Sequence, residues 1–515
     1  MKSSSFRLPR QASIYIKIFV LLLLMVVVLN SFADFAEIWQ KICDVNKKIR
    51  NVQYLNQKLF GLDQNLTLDT EIIEESNIMI EQVRAKLLDL DDGITDETRR
   101  IMKELNITNA GENGDPVSID AKNIDYILKR DKMLRDIYGY NGLASSMVSL
   151  NRALPDNRSE YCRTKKYPKK LPKASVVIPF HDDDWMLLMR TVHSVLLRTP
   201  DHLLEEILLA FDYSEREYYQ QQLDEYIKKY PKIRLIRSHR RQGIIPTRIM
   251  GGMNAIGPVI VYLDSHVEVG PGWIEPMLAR LDEDPKVLAW AKISSIDANT
   301  MKVSLDDSPG GLGTFSWDLV FKWLDISSYE GNRPTGKYDP KPTPTIIGPC
   351  YAIRKDFYHK IGYLDPDFDI WGGEDVELAF RTWMCGGRVE MIPCAVVAHM
   401  FKWHTYETKV KSQNSVLYNN DRIAEIWLDD EYKKYYYRSV GDTKNRDYGN
   451  ITDRLELKKK LGCKSFKWFH ENVHPNLIIP YYLSDEAWKK KEETEKKLSD
   501  MREKAKKEKE ELKKK

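Results

Sequence analysis

Hydrophobic and polar positions divide the chain into five stretches. Residues 14–33 are almost entirely apolar and, as a helix rising about 1.5 Å per residue, are long enough to cross one bilayer. Residues 34–135 carry apolar positions at three-to-four spacing, which is typical of amphipathic helices. Residues 136–480 alternate short β-branched runs with helical spacing. The pattern therefore predicts a short leading tail (1–13), a membrane span, a helical stem, one globular domain and a charged tail (481–515).

The flanks of the apolar run predict its orientation. Basic residues precede it, and Asp34 and Glu37 follow it, so the positive-inside rule keeps the N-terminus cytosolic and sends the rest into the lumen. The alternative is a cleaved signal peptide, for which Ser31-Phe32-Ala33 is only a weak cleavage site. We therefore expect an uncleaved signal-anchor. Within the stem, the spacing around Asn56 fits either a parallel coiled coil that pairs two stems or a single amphipathic helix.

Composition narrows the class of function. The 79 basic and 76 acidic residues leave a net charge of +3, which argues against a general nucleic-acid binder. Hydrophobic residues make up 42% of the chain, enough for a packed core. Six cysteines and four N-glycosylation acceptor sequences fit a lumenal location, where both modifications occur. The acceptor asparagines are Asn65, Asn106, Asn157 and Asn450.

Three predicted strands end in polar residues. They are Ala174–Phe180, 207–210 and Val259–Leu263, and the first is followed by helical spacing. Alternation of this kind predicts an α/β fold with a mostly parallel sheet covered on both faces. Ligands in such sheets bind beyond the carboxyl ends of the strands. The residues at those ends are Phe180-His181-Asp182-Asp183, Phe211-Asp212 and Asp264-Ser265-His266.

Asp264 and His266 could together bind one divalent cation. A nucleotide diphosphate needs such an ion before it can leave, and mixed oxygen and nitrogen ligands suit Mn²⁺. His399, which follows an apolar run, could be a third ligand. In isolation, a structural turn at Asp264 and a packed histidine at His399 are the commoner explanations.

The segment 369–375 is a second candidate site. Its glycines, Gly372 and Gly373, allow a ligand to approach the backbone closely. The Glu374 carboxylate can accept hydrogen bonds from sugar hydroxyls, and the Trp371 indole N–H can donate one. The alternative explanation is an acidic helix N-terminus that complements the helix dipole.

Several stretches together carry a family resemblance. From about Tyr138 to His474 the chain resembles the polypeptide N-acetylgalactosaminyltransferases, and the most specific match runs from Asp369 to Gly387. Other matching stretches are Asn151-Arg152-Ala153-Leu154-Pro155-Asp156, Ser175 to His181, Leu263-Asp264-Ser265-His266 and Trp317 to Trp323.

The resemblance implies a GT-A fold, a UDP-GalNAc donor, Mn²⁺, a Ser or Thr hydroxyl of a polypeptide as acceptor, retention of anomeric configuration and a Golgi membrane location. It makes Asp264, His266 and His399 the metal ligands and gives Trp371 and Glu374 the catalytic positions. Donor-binding residues would be His181, Asp183, Asp212, Arg241, Ile347, Gly348, Asp375, Lys402 and Tyr406. The implied disulfides are Cys162–Cys394 and Cys385–Cys463, which leaves Cys350 and Cys43, the latter able to cross-link two stems.

Departures from the family pattern cluster around the expected site. Phe211 replaces one of a usual pair of aspartates, Pro246 replaces an arginine, and Lys402 replaces another arginine. Ile347 and Pro349 stand where the family has a small residue and a glycine. We also expect the chain to lack the family's C-terminal ricin-type lectin domain. Three hypotheses follow: an active GalNAc transferase, a lumenal binding protein on a transferase scaffold, or a transferase that uses another UDP-sugar.

Overall fold

The computed structural model describes residues 92–121, 124–214, 217–304, 306–326, 336–403, 415–441 and 446–514. Among these residues, no helix is both long enough and apolar enough to cross a bilayer. The predicted membrane span, most of the stem with Asn56 and Asn65, and Cys43 and Tyr406 lie outside the described ranges. The chain divides into two compact units. The larger comprises Ala85–Ser214 and Leu235–Lys515, and residues 215–234 belong to the other.

Fifteen helices are labelled here within the described residues. In chain order they are α1 (Asp96–Glu104), α2 (Asp125–Tyr138), α3 (Gly142–Met147), α4 (Glu160–Thr164), α5 (Trp185–Arg198), α6 (Glu217–Ile227), α7 (Ile244–Asn254), α8 (Glu275–Glu283), α9 (Lys355–Lys360), α10 (Glu374–Met384), α11 (Ser415–Trp427), α12 (Asp430–Ser439), α13 (Thr452–Lys460), α14 (Phe466–Asn472) and α15 (Asp485–Lys514).

Twelve strands are labelled in the same ranges. They are β1 (Ala174–Phe180), β2 (Leu204–Phe211), β3 (Ile233–Arg237), β4 (Val259–Leu263), β5 (Val267–Val269), β6 (Val287–Ile296), β7 (Val303–Ser304), β8 (Leu312–Phe315), β9 (Phe321–Leu324), β10 (Lys341–Pro342), β11 (Cys350–Arg354) and β12 (Arg388–Met400).

The central sheet of the larger unit is mixed, not mostly parallel. Its order runs β10, β12, β6, β11, β4, β1, β2, with β5 paired to β12 and β7 to β6. β1 is parallel to both β2 and β4, and β6 is parallel to β12. β11 is antiparallel to both of its neighbours, β4 and β6. The predicted α/β class is therefore correct, whereas the predicted strand direction holds for only part of the sheet.

β1 shows why the sequence folds in this way. All seven of its residues are buried, and its run of Ser175-Val176-Val177-Ile178 favours an extended backbone between two neighbouring strands. Helix α5 follows, and its N-terminus is capped by the Asp184 carboxylate, which accepts a hydrogen bond from the Leu187 N–H at 3.1 Å. β1 ends at Phe180 and α5 begins at Trp185, so the polar residues between them lie at the carboxyl-terminal edge of the sheet.

The described part of the predicted stem packs into the larger unit. Ile101 and Val117 are buried in one cluster with Ile296 and Met301. The Val117 N–H also donates to the Thr300 carbonyl at 2.7 Å. Burial of these apolar side chains makes this segment part of the core. Described residues that the sequence assigns to the stem therefore belong to this packed core, and the boundary at residue 135 stays a prediction.

Both disulfides implied by the family resemblance are present. Cys162 of α4 is bonded to Cys394 of β12, and Cys385 after α10 is bonded to Cys463. The bonds join residues 232 and 78 positions apart in sequence, so each closes a long loop of the unfolded chain. Cys350 is a free, buried thiol, and burial raises its pKa above the usual range.

Candidate active site

Asp264, His266 and His399 meet at one edge of the sheet. Asp264 follows β4, His266 precedes β5, and His399 lies near the end of β12. Antiparallel pairing sets His399 opposite Val267, and the Met400 N–H donates to the His266 carbonyl at 3.1 Å. One ligand atom from each of the three side chains lies within 4.8 Å of the others. We call these three residues the metal group.

The metal group fits a divalent cation with oxygen and nitrogen ligands. Nε2 of His399 lies 3.4 Å from a carboxylate oxygen of Asp264, and its buried Nδ1 has no hydrogen-bond partner. Burial and the nearby Lys402 charge lower the pKa of His266 to about 3, so its imidazole is neutral and can ligate. Burial alone would raise the pKa of Asp264, but the His399 and Arg248 side chains hold it well below the usual range. A neutral imidazole and an ionised carboxylate are the states that bind Mn²⁺.

Arg248 connects the metal group to the second candidate segment. This buried side chain of α7 donates to Asp264 Oδ1 at 3.0 Å, to Glu374 Oε1 at 2.9 Å and to the Gly348 carbonyl at 3.2 Å. Arg248 is not among the site residues predicted from the sequence. The available signal was a single charged residue in a helix composed mostly of apolar and small residues. Pro246 lies in the first turn of the same helix, where a missing N–H costs no intrahelical bond.

The segment Asp369–Glu374, which we call the donor loop, ends at the first residue of α10. Gly372 and Gly373 have φ of 102° and 82°, a backbone region that favours glycine. The Gly372 N–H donates to Glu374 Oε2 at 3.0 Å. Glu374 is thus held between its own loop and Arg248, and each carboxylate oxygen accepts one hydrogen bond and can accept another.

Gly243 brings the donor loop against the start of α7. The Ile244 N–H donates to the Ile370 carbonyl at 3.0 Å. Gly243 has φ of 96°, and a Cβ at this position would lie 2.4 Å from Ile370 Cα. Only glycine permits this approach without moving the loop.

Asp212 and His181 hold the turn that precedes α7. The Asp212 carboxylate accepts from the N–H groups of Gln242 and Gly243, both at 2.7 Å. Burial raises the pKa of Asp212 above its usual value. Nδ1 of His181 faces the carbonyl oxygens of Asp212 at 2.8 Å and Tyr213 at 2.7 Å, so it carries the proton and donates. The structure thus gives these two predicted donor-binding residues turn-forming contacts.

Asp183 and Lys402 form an ion pair beside the metal group. Lys402 Nζ donates to Asp183 Oδ1, and the Ser265 hydroxyl donates to Asp183 Oδ2. Burial would raise the pKa of Asp183, but the Lys402 charge brings it below the usual value. Ser265 joins this pair to the metal group, because it lies between Asp264 and His266.

Gly348 and Asp375 line the other side of Arg248. A Cβ on Gly348 would lie 3.1 Å from Arg248 Nη2 and 3.3 Å from the Asp375 carboxylate. Burial, and then the neighbouring Glu374 charge, raise the pKa of Asp375 well above its usual range. Ile347 is half-buried next to Gly348. Gly348 and Asp375, which the family resemblance assigns to donor binding, therefore lie beside Arg248.

Phe211 and Arg241 complete the sequence-predicted positions. The Phe211 ring is 1% exposed and stacks on Phe180, with ring centroids 4.8 Å apart. This replacement of an aspartate therefore packs into the sheet, and the adjacent Asp212 keeps its carboxylate. Arg241 is half-buried in the turn before α7.

A cavity of about 450 Å³ lies beside the start of the donor loop. Asp421 in its wall accepts two hydrogen bonds from Arg446, at 2.6 and 2.7 Å, which compensate its charge. No residue of the metal group lines the cavity, so it is separate from that site. The lining residues are Pro366, Asp367, Phe368, Asp369, Leu417, Tyr418, Asp421, Arg446 and Asp447.

The three described glycosylation acceptors are exposed. Asn106, Asn157 and Asn450 all have solvent-accessible side chains, as attachment of a glycan requires. Ser159, the third residue of the second acceptor sequence, is buried and accepts a hydrogen bond from the Cys162 N–H at 3.3 Å.

Comparison with known proteins assigns the class of this fold and site. A glycosyl transferase family 2 model matches residues 175–362, and a model described as the N-terminal domain of galactosyltransferase matches residues 337–405. The crystal structure of GalNAc-T7 with UDP, GalNAc and Mn²⁺ is similar, with a TM-score of 0.67 at 32% identity over 73% of this chain and 70% of that chain. The fold is therefore the GT-A glycosyltransferase fold.

Similar sequences define the family more narrowly. Polypeptide N-acetylgalactosaminyltransferase 5 of Caenorhabditis elegans is 41% identical over 75% of this chain and 62% of that protein. Inactive polypeptide N-acetylgalactosaminyltransferase-like protein 5 of Macaca fascicularis is 41% identical over 66% of this chain and 76% of that protein. The chain belongs to the polypeptide N-acetylgalactosaminyltransferase family. It spans less than two thirds of the length of the worm relative and 57% of a fly relative, putative polypeptide N-acetylgalactosaminyltransferase 9 of Drosophila melanogaster.

Proposed function

We propose that this protein transfers GalNAc from UDP-GalNAc to Ser or Thr hydroxyls of polypeptides, with Mn²⁺ and with retention of configuration. One observation carries the proposal: Arg248 joins the Asp264 carboxylate of the metal group to Glu374 of the donor loop, at 3.0 and 2.9 Å. A nucleotide-sugar transferase needs metal binding at the diphosphate and orientation of the donor sugar side by side. The reason is that the diphosphate leaves from the sugar carbon that the loop must orient. The names of the relatives support the choice of sugar and acceptor.

In this proposal the side chains orient the donor and stabilise charge. Asp264, His266 and His399 would hold Mn²⁺, which when bound neutralises the diphosphate. Glu374 accepts hydrogen bonds from sugar hydroxyls, and the Trp371 indole N–H donates one. The acceptor hydroxyl attacks the anomeric carbon from the face that the diphosphate leaves, and its proton passes to the departing phosphate oxygen. The chain supplies orientation and electrostatic stabilisation without a covalent intermediate.

A binding function without catalysis is the second candidate. Lys402, in place of the family's arginine, is paired with Asp183 and offers a diphosphate a single ammonium group in place of a bidentate guanidinium. The macaque relative with 41% identity is itself named inactive. The intact metal group and the Arg248 link favour catalysis, since a binding protein has no need to place a carboxylate at the donor sugar.

The experiment is a transfer assay with the purified full chain, Mn²⁺, UDP-GalNAc and a Thr-rich peptide, read by mass spectrometry. We expect the peptide to gain one N-acetylhexosamine, and a matched peptide with Val in place of Thr to gain none. Transfer from UDP-GlcNAc or UDP-glucose alone would instead support the hypothesis of a different donor. If the protein binds UDP with Mn²⁺ but transfers sugar from none of the donors, the transferase proposal is refuted and the binding function is supported.

We also infer that the protein is a single-pass Golgi membrane protein with its catalytic unit in the lumen. The apolar run 14–33 and its charged flanks support the anchor. Two disulfides and exposed glycosylation acceptors support the lumenal side. Resistance of the chain to carbonate extraction, sensitivity to N-glycosidase and a Cys43-dependent dimer on non-reducing gels would test the anchor, the orientation and the pairing of stems, respectively.

A further inference from the structure

The donor loop cannot hold its own conformation. It lies between the short helix α9 and α10, and two consecutive glycines with positive φ give its backbone wide freedom in the unfolded chain. Its backbone N–H and C=O groups also lack the regular partners that a helix or strand would supply. Contacts from another element must therefore fix the position of Trp371.

Asn419 of α11 supplies those contacts. Its side chain is fully buried. The side-chain NH₂ donates to the carbonyl oxygens of Asp369 and Gly372, both at 2.8 Å, with a longer contact to the Trp371 carbonyl at 3.3 Å. Its Oδ1 accepts from the Asp369 N–H at 2.7 Å. Both ends of one carboxamide are thus used on the loop, and only asparagine offers a donor and an acceptor at this length.

The same helix also approaches the loop closely at its glycines. A Cβ on Gly372 would lie 2.8 Å from Val416 Cγ2, and a Cβ on Gly373 would lie 3.5 Å from Asn419 Cβ. The loop can therefore neither move toward α11 nor move away without breaking the bonds to Asn419. We call the hydrogen bonds from Asn419 to the donor loop the clamp. Because Glu374 directly follows Gly373, its position relative to Arg248 depends on the clamp.

We propose that Asn419 is a positioning residue for the donor sugar: its carboxamide fixes the loop that presents Trp371 and Glu374. The inference rests on the proposed function for its consequence in catalysis. The hydrogen bonds of the Asn419 carboxamide go to the donor loop, whereas the side chains of the metal group come from strand ends. Loss of the clamp should therefore reduce recognition of the sugar and leave recognition of UDP with Mn²⁺ in place.

The test compares Asn419→Ala and Asn419→Asp with wild type. Asparagine to aspartate keeps the acceptor but replaces the two donors by a carboxylate facing three carbonyl oxygens, so it should be no better than alanine. We expect kcat/KM for transfer to fall about tenfold to a hundredfold in both. UDP affinity with Mn²⁺ should stay within about twofold, within the scatter expected for independent sites.

Two control variants separate positioning from general destabilisation. Arg422→Lys weakens a buried ion pair between α11 and Asp365, where two guanidinium–carboxylate distances are 2.9 and 3.1 Å, without contacting the donor loop. It should lower thermal stability and leave the ratio of UDP-GalNAc to UDP affinity unchanged. Asn472→Ala, at an exposed asparagine of α14, should change neither. An Asn419 variant that loses UDP and UDP-GalNAc affinity equally would overturn the proposal.

Hydrogen exchange gives a readout that does not depend on catalysis. In the protein without ligand, Asn419→Ala should speed exchange in peptides covering residues 369–373, because the Asp369 N–H loses its acceptor, and not in peptides covering β12. Unchanged exchange in the loop would refute the clamp even if activity fell. If wild type transfers no GalNAc, the proposed function fails, and the exchange result and the two nucleotide affinities still decide whether Asn419 positions the loop.

Discussion

The metal group and the donor loop are held in two different ways. Asp264, His266 and His399 stand at strand ends, where the register of β4, β5 and β12 sets their positions. The donor loop has no such frame and depends on Gly243, Arg248 and Asn419 from helices or turns elsewhere. The position of the metal group is therefore set by the sheet itself. The position of the donor loop is set by contacts from neighbouring elements, so a change in those neighbours can move it.

This difference separates two kinds of functional change. Substitutions around the loop can alter the sugar or the rate while the metal group stays intact. The metal group is complete, and the departures expected from the family pattern lie at other residues: Phe211, which packs into the sheet, and Pro246, Ile347, Pro349 and Lys402. The comparison predicts that metal binding will be robust and that sugar recognition will be easy to change.

Arg248→Met should have the largest effect, because it removes the link between the two regions. The buried Glu374 carboxylate and the half-buried Asp264 carboxylate would each lose their guanidinium partner, and breaking a buried pair costs about 3–5 kcal/mol of unfolding free energy. The loss of unfolding free energy in Arg248→Lys should be smaller than in Arg248→Met but still present. The lysine keeps a charge, but its ammonium group cannot span both carboxylates as the guanidinium does. Chemical denaturation measures the loss. Wild-type stability in the methionine variant would show that the two regions are independent.

His474 supplies a reference for a structural effect outside both regions. Burial lowers its pKa to about 4 from an ordinary value of 6.5, and its Nε2 lies 2.6 Å from the Thr314 hydroxyl. His474 is protonated more readily in the unfolded chain than in the folded one. Its contribution to the free energy of unfolding is therefore complete above pH 6.5 and is lost as the pH falls toward 4. The loss should be at most about 3 kcal/mol. His474→Gln should remove that part of the pH dependence; an unchanged pH profile of the denaturation midpoint would contradict it.

Gly243→Ala should disturb the donor loop alone. The new Cβ would lie 2.4 Å from Ile370 Cα, and the positive φ adds strain of about 1–3 kcal/mol. Gly386→Ala is the matched control, because its φ is 91° and nothing lies within 4 Å of its Cβ position. We expect both variants to lose stability but only Gly243→Ala to lose UDP-GalNAc affinity, measured by titration calorimetry. Equal nucleotide-sugar affinities in the two variants would mean that the loop tolerates the shift.

Lys402→Arg should have the smallest effect and act in the opposite direction. The guanidinium could pair with Asp183 and still contact a phosphate, so UDP affinity with Mn²⁺ should rise about threefold to tenfold, as expected of one added hydrogen bond. Lys402→Gln, which keeps length without charge, should lower it. An arginine variant that binds UDP no better than wild type would show that the pair with Asp183 is not limiting.

The sequence predicted the strand-borne part of the site better than the loop-borne part. The bounds of β1 and β4 agree with the predicted runs, because each buried β-branched run is local information. The antiparallel direction of β11 is not local, since it depends on which strands become neighbours. The burial of Ile101 and Val117 in the core could not be predicted, because apolar residues look the same in an amphipathic surface segment and in a packed core.

Arg248 and Asn419 show why the rest could not be predicted. Each lies in a helix far from its partners in sequence, 126 positions in the case of Arg248 and Glu374. The local pattern says only that a polar residue occupies a helix, and the identity of its partner depends on the packing of α7 and α11. The only sign in the sequence was the consecutive pair Asn419 and Asn420 among the apolar positions of α11, and such a pair does not name its partners.

The most direct measurement is titration of UDP into the purified protein with and without Mn²⁺, for wild type and Asp264→Ala. We expect Mn²⁺ to strengthen UDP binding to wild type, and we expect the variant to lose at least about tenfold of this affinity while keeping its fold by circular dichroism. UDP binding that is indifferent to Mn²⁺ in wild type, or equal in the two proteins, would contradict a metal-dependent nucleotide-sugar site at Asp264, His266 and His399.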